Sequence, residues 1–172
     1  MLELGEIEYD GLTLPLISPD ARFIATQVGH APSWETVLAG ADAPAPSTNI
    51  RVLRIDDAAP TRLAHTITLP HGLLLGRAAS NEGFLVEQAG DSRRIGLAGW
   101  ETGAIRWLTE EGACCAFATL GPLGELAYCR RASPTGRWTL VYRDAEGNES
   151  GASLTDSSVV FPLISRRSEG GG

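Results

Sequence analysis

The sequence predicts an all-β fold built from repeated units, each of which contains four short antiparallel strands. The 172 residues include 20 Gly and 10 Pro, and these residues favour tight turns over helices. One unit lies between Trp100 and Cys129, where short runs of β-forming residues alternate with glycine-containing turns. Related stretches recur along the chain, and their spacing indicates a repeat architecture.

The clearest repeated element is an apolar strand that is followed by a turn. Leu14–Ser18 has the sequence LPLIS, and Phe161–Ser165 nearly copies it as FPLIS. Four positions are equivalent in this comparison: Ser18, Ser80, Gly121 and Ser165. The steps between them are 62, 41 and 44 residues. Residues 29–48 form an Ala- and Pro-rich insertion, and without it the period is close to that of four-stranded β-propeller blades.

Alternating apolar residues and turn residues place the strands of the first unit. An apolar strand occupies Leu12–Ser18, and a second strand at Arg22–Val28 follows it after a short turn. Asn49–Ile55 alternates apolar and charged residues, as a half-buried strand does. A polar turn at residues 56–60 then leads to an outer strand at Thr61–His65.

The second and third units follow the same order. In the second unit, turns are expected at residues 79–83, 90–93 and 101–103. In the third unit, Ala113–Thr119 is almost entirely apolar, which is typical of a strand that is buried on both faces. Further turns of this unit are expected at residues 121–124, 132–136 and 144–148.

The predicted architecture is a β-propeller-like array of four-stranded antiparallel blades, with about three blades, one further strand and an incomplete ring. Residues 1–167 form a single domain in this interpretation, and residues 168–172 form a flexible tail. Because propellers usually have four to eight blades, we expect the chain to belong to a longer protein or to assemble with further copies. The blades are expected at residues 12–65, 73–109 and 113–154, with a partial blade at 159–165.

Three short stretches carry a resemblance to a known repeat. Ser18–Ala25 reads SPDARFIA, and it is followed later by the Trp100–Gly103 turn and by Arg106–Thr109, which reads RWLT. Together they resemble the TolB-like propeller repeat, a relative of the WD-type repeat, which typically begins SPDG. Ala21 stands where that repeat has glycine. The resemblance implies a β-propeller fold and leaves the function open.

The composition excludes several classes of partner. The net charge is −7 at pH 7, and all 14 cationic side chains are arginine, so a nucleic-acid partner is not expected. No apolar run approaches about 18 residues, so no membrane partner is expected. The N-terminal segment lacks the basic and apolar regions of a signal peptide. A cytoplasmic location is favoured on this ground, although the sequence does not determine the compartment.

No catalytic motif or metal-ligand spacing is visible. The chain has no G-x-S-x-G elbow, and His65 and His71 are not separated by a recognised metal spacing. Cys114, Cys115 and Cys129 are expected to be buried free thiols, and no cofactor is expected. We therefore expect a non-catalytic binding or scaffolding module that recognises a protein or peptide, in preference to an enzyme. The alternative is the propeller portion of a larger hydrolase, a peptidase or a glycoside-active enzyme, whose catalytic domain lies elsewhere.

The candidate binding residues belong to loops that join second to third strands, or one blade to the next. In a propeller these loops share one rim, so all three histidines are expected on that face. Trp34 would act as an aromatic anchor and the arginine pairs would contact anions. The alternative is that these residues are scattered on the surface without a common role. The candidates are His30, Trp34, His65, His71, Arg93, Arg94, Arg130 and Arg131.

Other conspicuous residues have structural interpretations. Asp20 is expected to accept backbone hydrogen bonds in its own turn. The aromatic residues in the second and third units are expected to pack between blades. These aromatic residues are Trp100, Trp107, Phe117 and Trp138.

Overall fold

The computed structural model describes residues 14–30, 47–55, 63–69, 72–88, 93–133 and 136–153. In these ranges, twelve strands form three four-stranded antiparallel sheets. The described ranges contain no helix, and so none that is long and apolar enough to cross a membrane. The prediction of an all-β fold with four-stranded antiparallel units is therefore confirmed for the described residues.

Each sheet contains four strands that are consecutive in sequence and adjacent in space. The first sheet contains β1 (Leu16–Ile17), β2 (Phe23–His30), β3 (Ser47–Ile55) and β4 (Leu63–Thr68). The second contains β5 (Leu73–Ala79), β6 (Gly83–Gln88), β7 (Ile95–Gly99) and β8 (Ile105–Trp107). The third contains β9 (Cys114–Leu120), β10 (Leu126–Arg131), β11 (Thr139–Arg143) and β12 (Glu149–Ser153).

The first sheet differs in its bounds from the sequence prediction. The β2–β3 ladder continues to the pair His30 and Ser47, so both ends of the predicted insertion at 29–48 belong to strands. The fourth strand runs to Thr68 and does not end at His65. A hairpin ladder can continue into residues of weak β-propensity because the partner strand supplies the hydrogen bonds. The partial blade at 159–165 lies outside the described residues.

The first turn shows why the SPDA motif reverses the chain. The Ser18 hydroxyl donates to Asp20 Oδ1 at 2.6 Å and accepts from the Phe23 N–H at 3.0 Å. Asp20 also accepts from the Arg22 N–H at 3.2 Å. Ser18 and Arg22 lower the pKa of Asp20 to about 2. Asp20 therefore serves its own turn, as predicted.

Ala21 occupies the left-handed region of backbone space in this turn, with φ of 57°. Gly124, the equivalent residue of the third sheet, has φ of 92°. The left-handed conformation costs an alanine about 1–2 kcal/mol, whereas glycine adopts it freely. The Ala21 position therefore stores local strain that the third sheet avoids.

Replacing Ala21 with glycine is expected to raise the free energy of unfolding by about 0.5–1 kcal/mol. Relief of strain outweighs the extra freedom that glycine gives the unfolded chain, which is about 0.4–1 kcal/mol. Urea denaturation measures the difference. Ala104→Gly is the matched control, because Ala104 is exposed and has no positive φ, and it is expected to destabilise. A loss of stability in Ala21→Gly would contradict the conclusion that the backbone at Ala21 is strained.

The second sheet lies between the other two. β5 packs against β1, β2 and β3 of the first sheet, and β9 packs against β5, β6 and β7 of the second. One buried cluster joins the first and second sheets around Phe23, Phe84 and Trp100. Another joins the second and third sheets around Leu85 and Tyr128. Both faces of the second sheet are therefore buried in apolar contacts.

Aromatic packing follows the prediction in part. Trp100 contacts Phe84 and Phe23, with ring centroids 4.7 and 6.0 Å apart, so it does pack between two sheets. Phe117 and Trp138 contact each other edge to face at 5.8 Å. Phe117 lies on β9 and Trp138 immediately precedes β11, so this contact joins two parts of the third sheet and not two sheets.

Two polar side chains connect neighbouring sheets. Gln27 Oε1 on β2 accepts from the Leu75 N–H on β5 at 2.7 Å. Glu87 Oε1 on β6 accepts from the N–H groups of Phe117 and Ala118 on β9, at 2.8 and 3.3 Å. Each acceptor is the fifth residue of the second strand in its sheet. We call these two contacts the inter-sheet joints.

Each joint reaches an irregular part of the receiving strand. The β5–β6 register shifts between Leu75 and Ala79, and the β9–β10 register shifts opposite Tyr128. Phe117 has φ of 59°, which is rare for a non-glycine residue. Backbone N–H groups at such bulges lose partners in their own ladder, and the joints satisfy them.

Candidate functional site

A groove of about 480 Å³ opens between the segment after β8 and one face of the third sheet. We call it the arginine groove. It combines cationic, aromatic and acidic side chains that are far apart in sequence. The side chains that define it are Arg94, Trp107, Tyr128, Arg130, Arg143 and Glu149.

The register of the third sheet explains how four of these residues share a face. Tyr128 and Arg130 are two residues apart on β10, so their side chains point to the same side. Leu126 lies opposite Arg143 on β11, and Arg143 lies opposite Glu149 on β12. Directly paired residues in an antiparallel sheet also share a face. Alternation and pairing therefore bring all four side chains to the groove.

The opposite wall is built on the second sheet. Trp107 ends β8 and pairs with Gly96 on β7, where an added Cβ would lie 3.0 Å from the indole. The missing side chain at Gly96 gives the indole room. The Arg94 guanidinium lies 4.5 Å from the centre of the Trp107 ring, within the range of a cation–π contact.

Arg94 is held in place but incompletely paired. Its side chain is 19% exposed, and its Nη1 lies 3.9 Å from the carboxylate of Glu111, whose side chain is 86% exposed. Exposed ion pairs of this length contribute little. The buried Nε of Arg94 has no hydrogen-bond partner among the described residues. Arg94 therefore has a donor that no described residue uses.

The groove face of the third sheet contains its own hydrogen-bond network. One oxygen of Glu149 accepts from the Tyr128 hydroxyl at 2.7 Å, and the other accepts from Arg130 Nη1 at 3.2 Å. Burial and the Glu149 carboxylate raise the pKa of Tyr128, so its hydroxyl stays a donor. Arg143 Nη1 donates to the Leu108 carbonyl oxygen at 2.7 Å. These contacts fix both arginines at the groove.

The groove is locally cationic although the whole chain is anionic. Arg94, Arg130 and Arg143 line it, against the two carboxylates of Glu110 and Glu149. The net charge of the chain is −7. The Glu149 carboxylate is already bound to Tyr128 and Arg130, so Arg94 and Arg143 provide most of the charge that an incoming anion would meet.

Two of the four candidate arginines line the groove, and the other two are not among its lining residues. Arg94 and Arg130 line the groove. Arg131 is buried, donates from Nε to Cys114 Sγ at 3.1 Å and lies 4.7 Å from the Trp138 ring centre. Burial lowers the pKa of Arg93, and the nearby Arg131 adds to that effect. Arg131 follows Arg130 on β10 and so takes the opposite face, whereas Arg93 precedes β7 and is half-buried beside Arg94.

The expectation that the histidines share one face is wrong for His30 and His65. His30 ends β2, whereas His65 on β4 lies opposite Arg54, which pairs with Phe23 at the start of β2. Seven residues of strand separate the two levels, which is about 23 Å. The error came from ending the fourth strand at His65 instead of Thr68. Trp34 and His71 lie outside the described residues.

Sequence reasoning missed four residues of the groove. Trp107 was assigned to packing, while Tyr128, Arg143 and Glu149 were not singled out. The spacing of Tyr128 and Arg130 on one predicted strand was the available signal. The contributions of Arg143 and Glu149 depend on the register between β10, β11 and β12, which the sequence does not specify.

Cysteine side chains can act as nucleophiles or as metal ligands. The three cysteines are buried and free, as predicted. Burial raises the pKa values of Cys115 and Cys129 to about 11, so both remain protonated at neutral pH and are poor nucleophiles. No cluster of three or more metal-ligating side chains lies in the described ranges.

No family model, curated protein or solved structure matches this chain. The groove is therefore the feature of the described residues that bears most directly on function. A partly buried set of guanidinium groups beside aromatic side chains is suited to binding carboxylates.

Proposed function

We propose that this protein is a non-catalytic binding module that recognises an acidic segment of a partner protein in the arginine groove. The observation that carries the proposal is the convergence of Arg94, Arg130 and Arg143 on one groove. Arginine presents a rigid fork of donors that matches the two oxygens of a carboxylate. The aromatic walls at Trp107 and Tyr128 add apolar contact area, as binding surfaces commonly do.

Arg130 is paired with Glu149, and the other two arginines of the groove are also held in fixed positions. Arg94 lies over Trp107, and Arg143 is bound to the Leu108 carbonyl oxygen. A side chain that is ordered before binding loses less entropy when a ligand arrives. Partial burial strengthens the attraction between charges because the local dielectric constant is lower than that of water. These features support anion binding despite the negative net charge.

We also propose that the three sheets are blades of a propeller of the TolB-like type. Three features support this arrangement: four sequential strands in each sheet, first strands that pack on the preceding sheet, and equivalent inter-sheet joints from Gln27 and Glu87. The groove would then lie between two neighbouring blades. Grooves between repeated units are frequent binding surfaces in repeat proteins.

The test compares charge removal in the groove with charge removal outside it. The probe is a fluorescein-labelled peptide of alternating Glu and Val residues, and its affinity is measured by fluorescence anisotropy at low ionic strength. The double variant Arg94→Gln and Arg143→Gln is expected to bind at least about tenfold more weakly, because hydrogen bonds to charged groups contribute about 1.5–3 kcal/mol each. Added salt should weaken binding to the wild type.

Arg106→Gln is the matched control. Arg106 precedes Trp107 on β8, its side chain is 67% exposed, and its ion pair with Glu82 spans 3.6 Å on the surface. This control is expected to bind within about twofold of the wild type, since exposed pairs contribute little. Circular dichroism confirms that each variant is folded. Equal affinity in the wild type and the folded double variant would refute the proposal.

A further inference from the structure

We infer that the acidic partner segment binds as an extra β-strand along the outer edge of β12, with alternate side chains directed into the arginine groove. This inference rests on the proposed function, since it specifies how the same groove is occupied. It commits the partner to an extended peptide in which acidic residues recur at every second position. Strand addition of this kind supplies affinity through backbone hydrogen bonds and specificity through alternate side chains.

β12 is an accessible edge strand. All five residues of Glu149–Ser153 are exposed, and β12 stands at the end of the third sheet. No strand in the described ranges pairs with its outer edge. Its ladder with β11 runs through all five pairs without a register shift. A regular edge of this kind presents unpaired backbone groups to an incoming strand.

β12 lacks three features that commonly protect an edge. Its sequence, ESGAS, contains no proline and no cationic residue, and its ladder has no bulge. Natural edge strands commonly use such features to prevent pairing with other chains. Their absence from this edge is consistent with an edge that is kept available for a partner.

The groove begins at the same edge. Glu149 lines the groove, and Gly151 and Ser153 lie on the same face of β12 as Glu149. Gly151 has no side chain and pairs with Val141, whereas Glu149 pairs with Arg143, so Gly151 leaves a diagonal path open from the outer edge, past Glu149, to Arg143. An added strand would lie about 4.8 Å from β12 and about 10 Å from β11. A glutamate side chain of the peptide and the long side chain of Arg143 can span this separation together.

Charge sets the register of the added strand. Glu149 has both oxygens engaged, by Tyr128 and by Arg130, and like charges directly opposite each other are unfavourable in a sheet. An acidic residue of the peptide is therefore expected opposite Gly151 and not opposite Glu149. From that position it lies diagonally across β12 from Arg143, whose Nη1 donates to the Leu108 carbonyl oxygen and not to a carboxylate.

The charge also favours a peptide over a second copy of this chain. A second β12 would bring another Glu149 to the edge, and two chains with a net charge of −7 repel each other. The negative charge of the chain also repels an acidic peptide. The peptide differs from a second copy because its carboxylates contact the arginines of the groove. A second copy offers no acidic residue at every second position of β12, since Glu149 is the only one.

The first test uses backbone methylation of the probe peptide. Two versions of the Glu and Val peptide are made, each with N-methyl groups along one of its two edges. The added strand runs in one preferred direction, and in that direction only one of its edges can pair with β12, so one version is expected to bind at least about tenfold more weakly, through the loss of several backbone hydrogen bonds. The other version is expected to bind within about twofold of the parent. Equal binding of both versions and the parent would overturn strand addition.

The second test uses two neighbouring positions of β12. Gly151→Val closes the path over the strand, and it should fold, because the new Cβ would meet only Thr139 Cγ2 at 3.4 Å and the Leu140 carbonyl oxygen at 3.6 Å. It is expected to weaken peptide binding about tenfold or more. Ala152→Val, on the opposite face, is the control and should leave affinity unchanged. Equal affinities in the two variants would overturn the inferred side-chain direction.

The outcomes separate this inference from the proposed function. Binding that depends on Arg94 and Arg143 but tolerates methylation of either edge would retain the groove and refute the added strand. Failure of every peptide to bind would refute both. Light scattering in the absence of peptide tests whether a second copy of this chain occupies the edge of β12. If the protein self-associates and Gly151→Val abolishes the association, the edge binds a second copy and the peptide inference is overturned.

Discussion

Replacing Trp100 with alanine is expected to lower the free energy of unfolding by about 3–5 kcal/mol, the usual range for a buried aromatic residue. Trp100 is buried against Phe23 of the first sheet and Phe84 of the second. Its Nε1 donates to the Ser80 carbonyl oxygen at 2.8 Å. Truncation therefore leaves a cavity between two sheets and removes a partner from a turn. Denaturation in urea, followed by circular dichroism, measures the loss.

Two further variants separate packing from hydrogen bonding at this site. Trp100→Phe keeps an aromatic ring but leaves the Ser80 carbonyl oxygen without its donor, so a loss of about 1–2 kcal/mol is expected. Tyr142→Ala removes an aromatic residue that is 39% exposed and should change stability by no more than about 0.5 kcal/mol. If Trp100→Ala cost as little as Tyr142→Ala, the first and second sheets would not depend on Trp100.

Replacing Glu87 with alanine is expected to cost about 2–4 kcal/mol. The change removes the acceptor for the Phe117 and Ala118 N–H groups, and an unsatisfied buried donor costs about 1–3 kcal/mol. Glu87→Gln keeps an acceptor oxygen and copies the amide that Gln27 provides at the other joint. It is expected to cost less than about 1 kcal/mol. Equal losses in the two variants would show that the acceptor is unimportant.

The difference in stability between the wild type and Glu87→Gln is expected to depend on pH. Burial raises the pKa of Glu87 above its ordinary value of 4.5, although the N–H groups of Ala118 and Phe117 and the charges of Arg93 and Arg77 oppose the rise. Folding then favours the protonated acid. The stability that this group contributes is fully present below about pH 4.5 and is lost as the pH rises through the folded pKa.

Glu87→Gln lacks this titration, so it should gain stability relative to the wild type as the pH is raised from 4 towards 8. Urea denaturation of both proteins across that range measures the difference, and other titrating groups cancel in the comparison. A constant difference between the two proteins across the range would contradict a raised pKa at Glu87.

Local sequence signals were sufficient for the strands but not for their connections across sheets. Glycine turns and the apolar run of β9 marked the four-stranded units. The positive φ at Phe117 had no such signal, because only tertiary contacts hold a bulky residue in that conformation. The joints from Gln27 and Glu87 connect residues 48 and 30 positions apart, respectively. A polar residue in a strand does not reveal a partner at that distance.

Some residues of the groove could be predicted from the sequence, and others could not. Arg94 and Arg130 could be named because arginine doublets at strand ends are conspicuous in the sequence. Their neighbours Arg93 and Arg131 could not be separated from them, since the face that each side chain takes depends on where the strand begins. Arg143 entered the groove only through the pairing of β11 with β10 and β12, a long-range feature of the fold.

Every positive charge in the groove is a guanidinium, and the chain contains no lysine. Reagents that couple primary amines therefore find no side chain to modify in this protein. In a cross-linking experiment with an amine-specific reagent, each lysine that reacts must come from the partner. The groove would stay chemically intact during such labelling, and carboxylate-directed reagents would be needed to attach a probe to its own wall at Glu149.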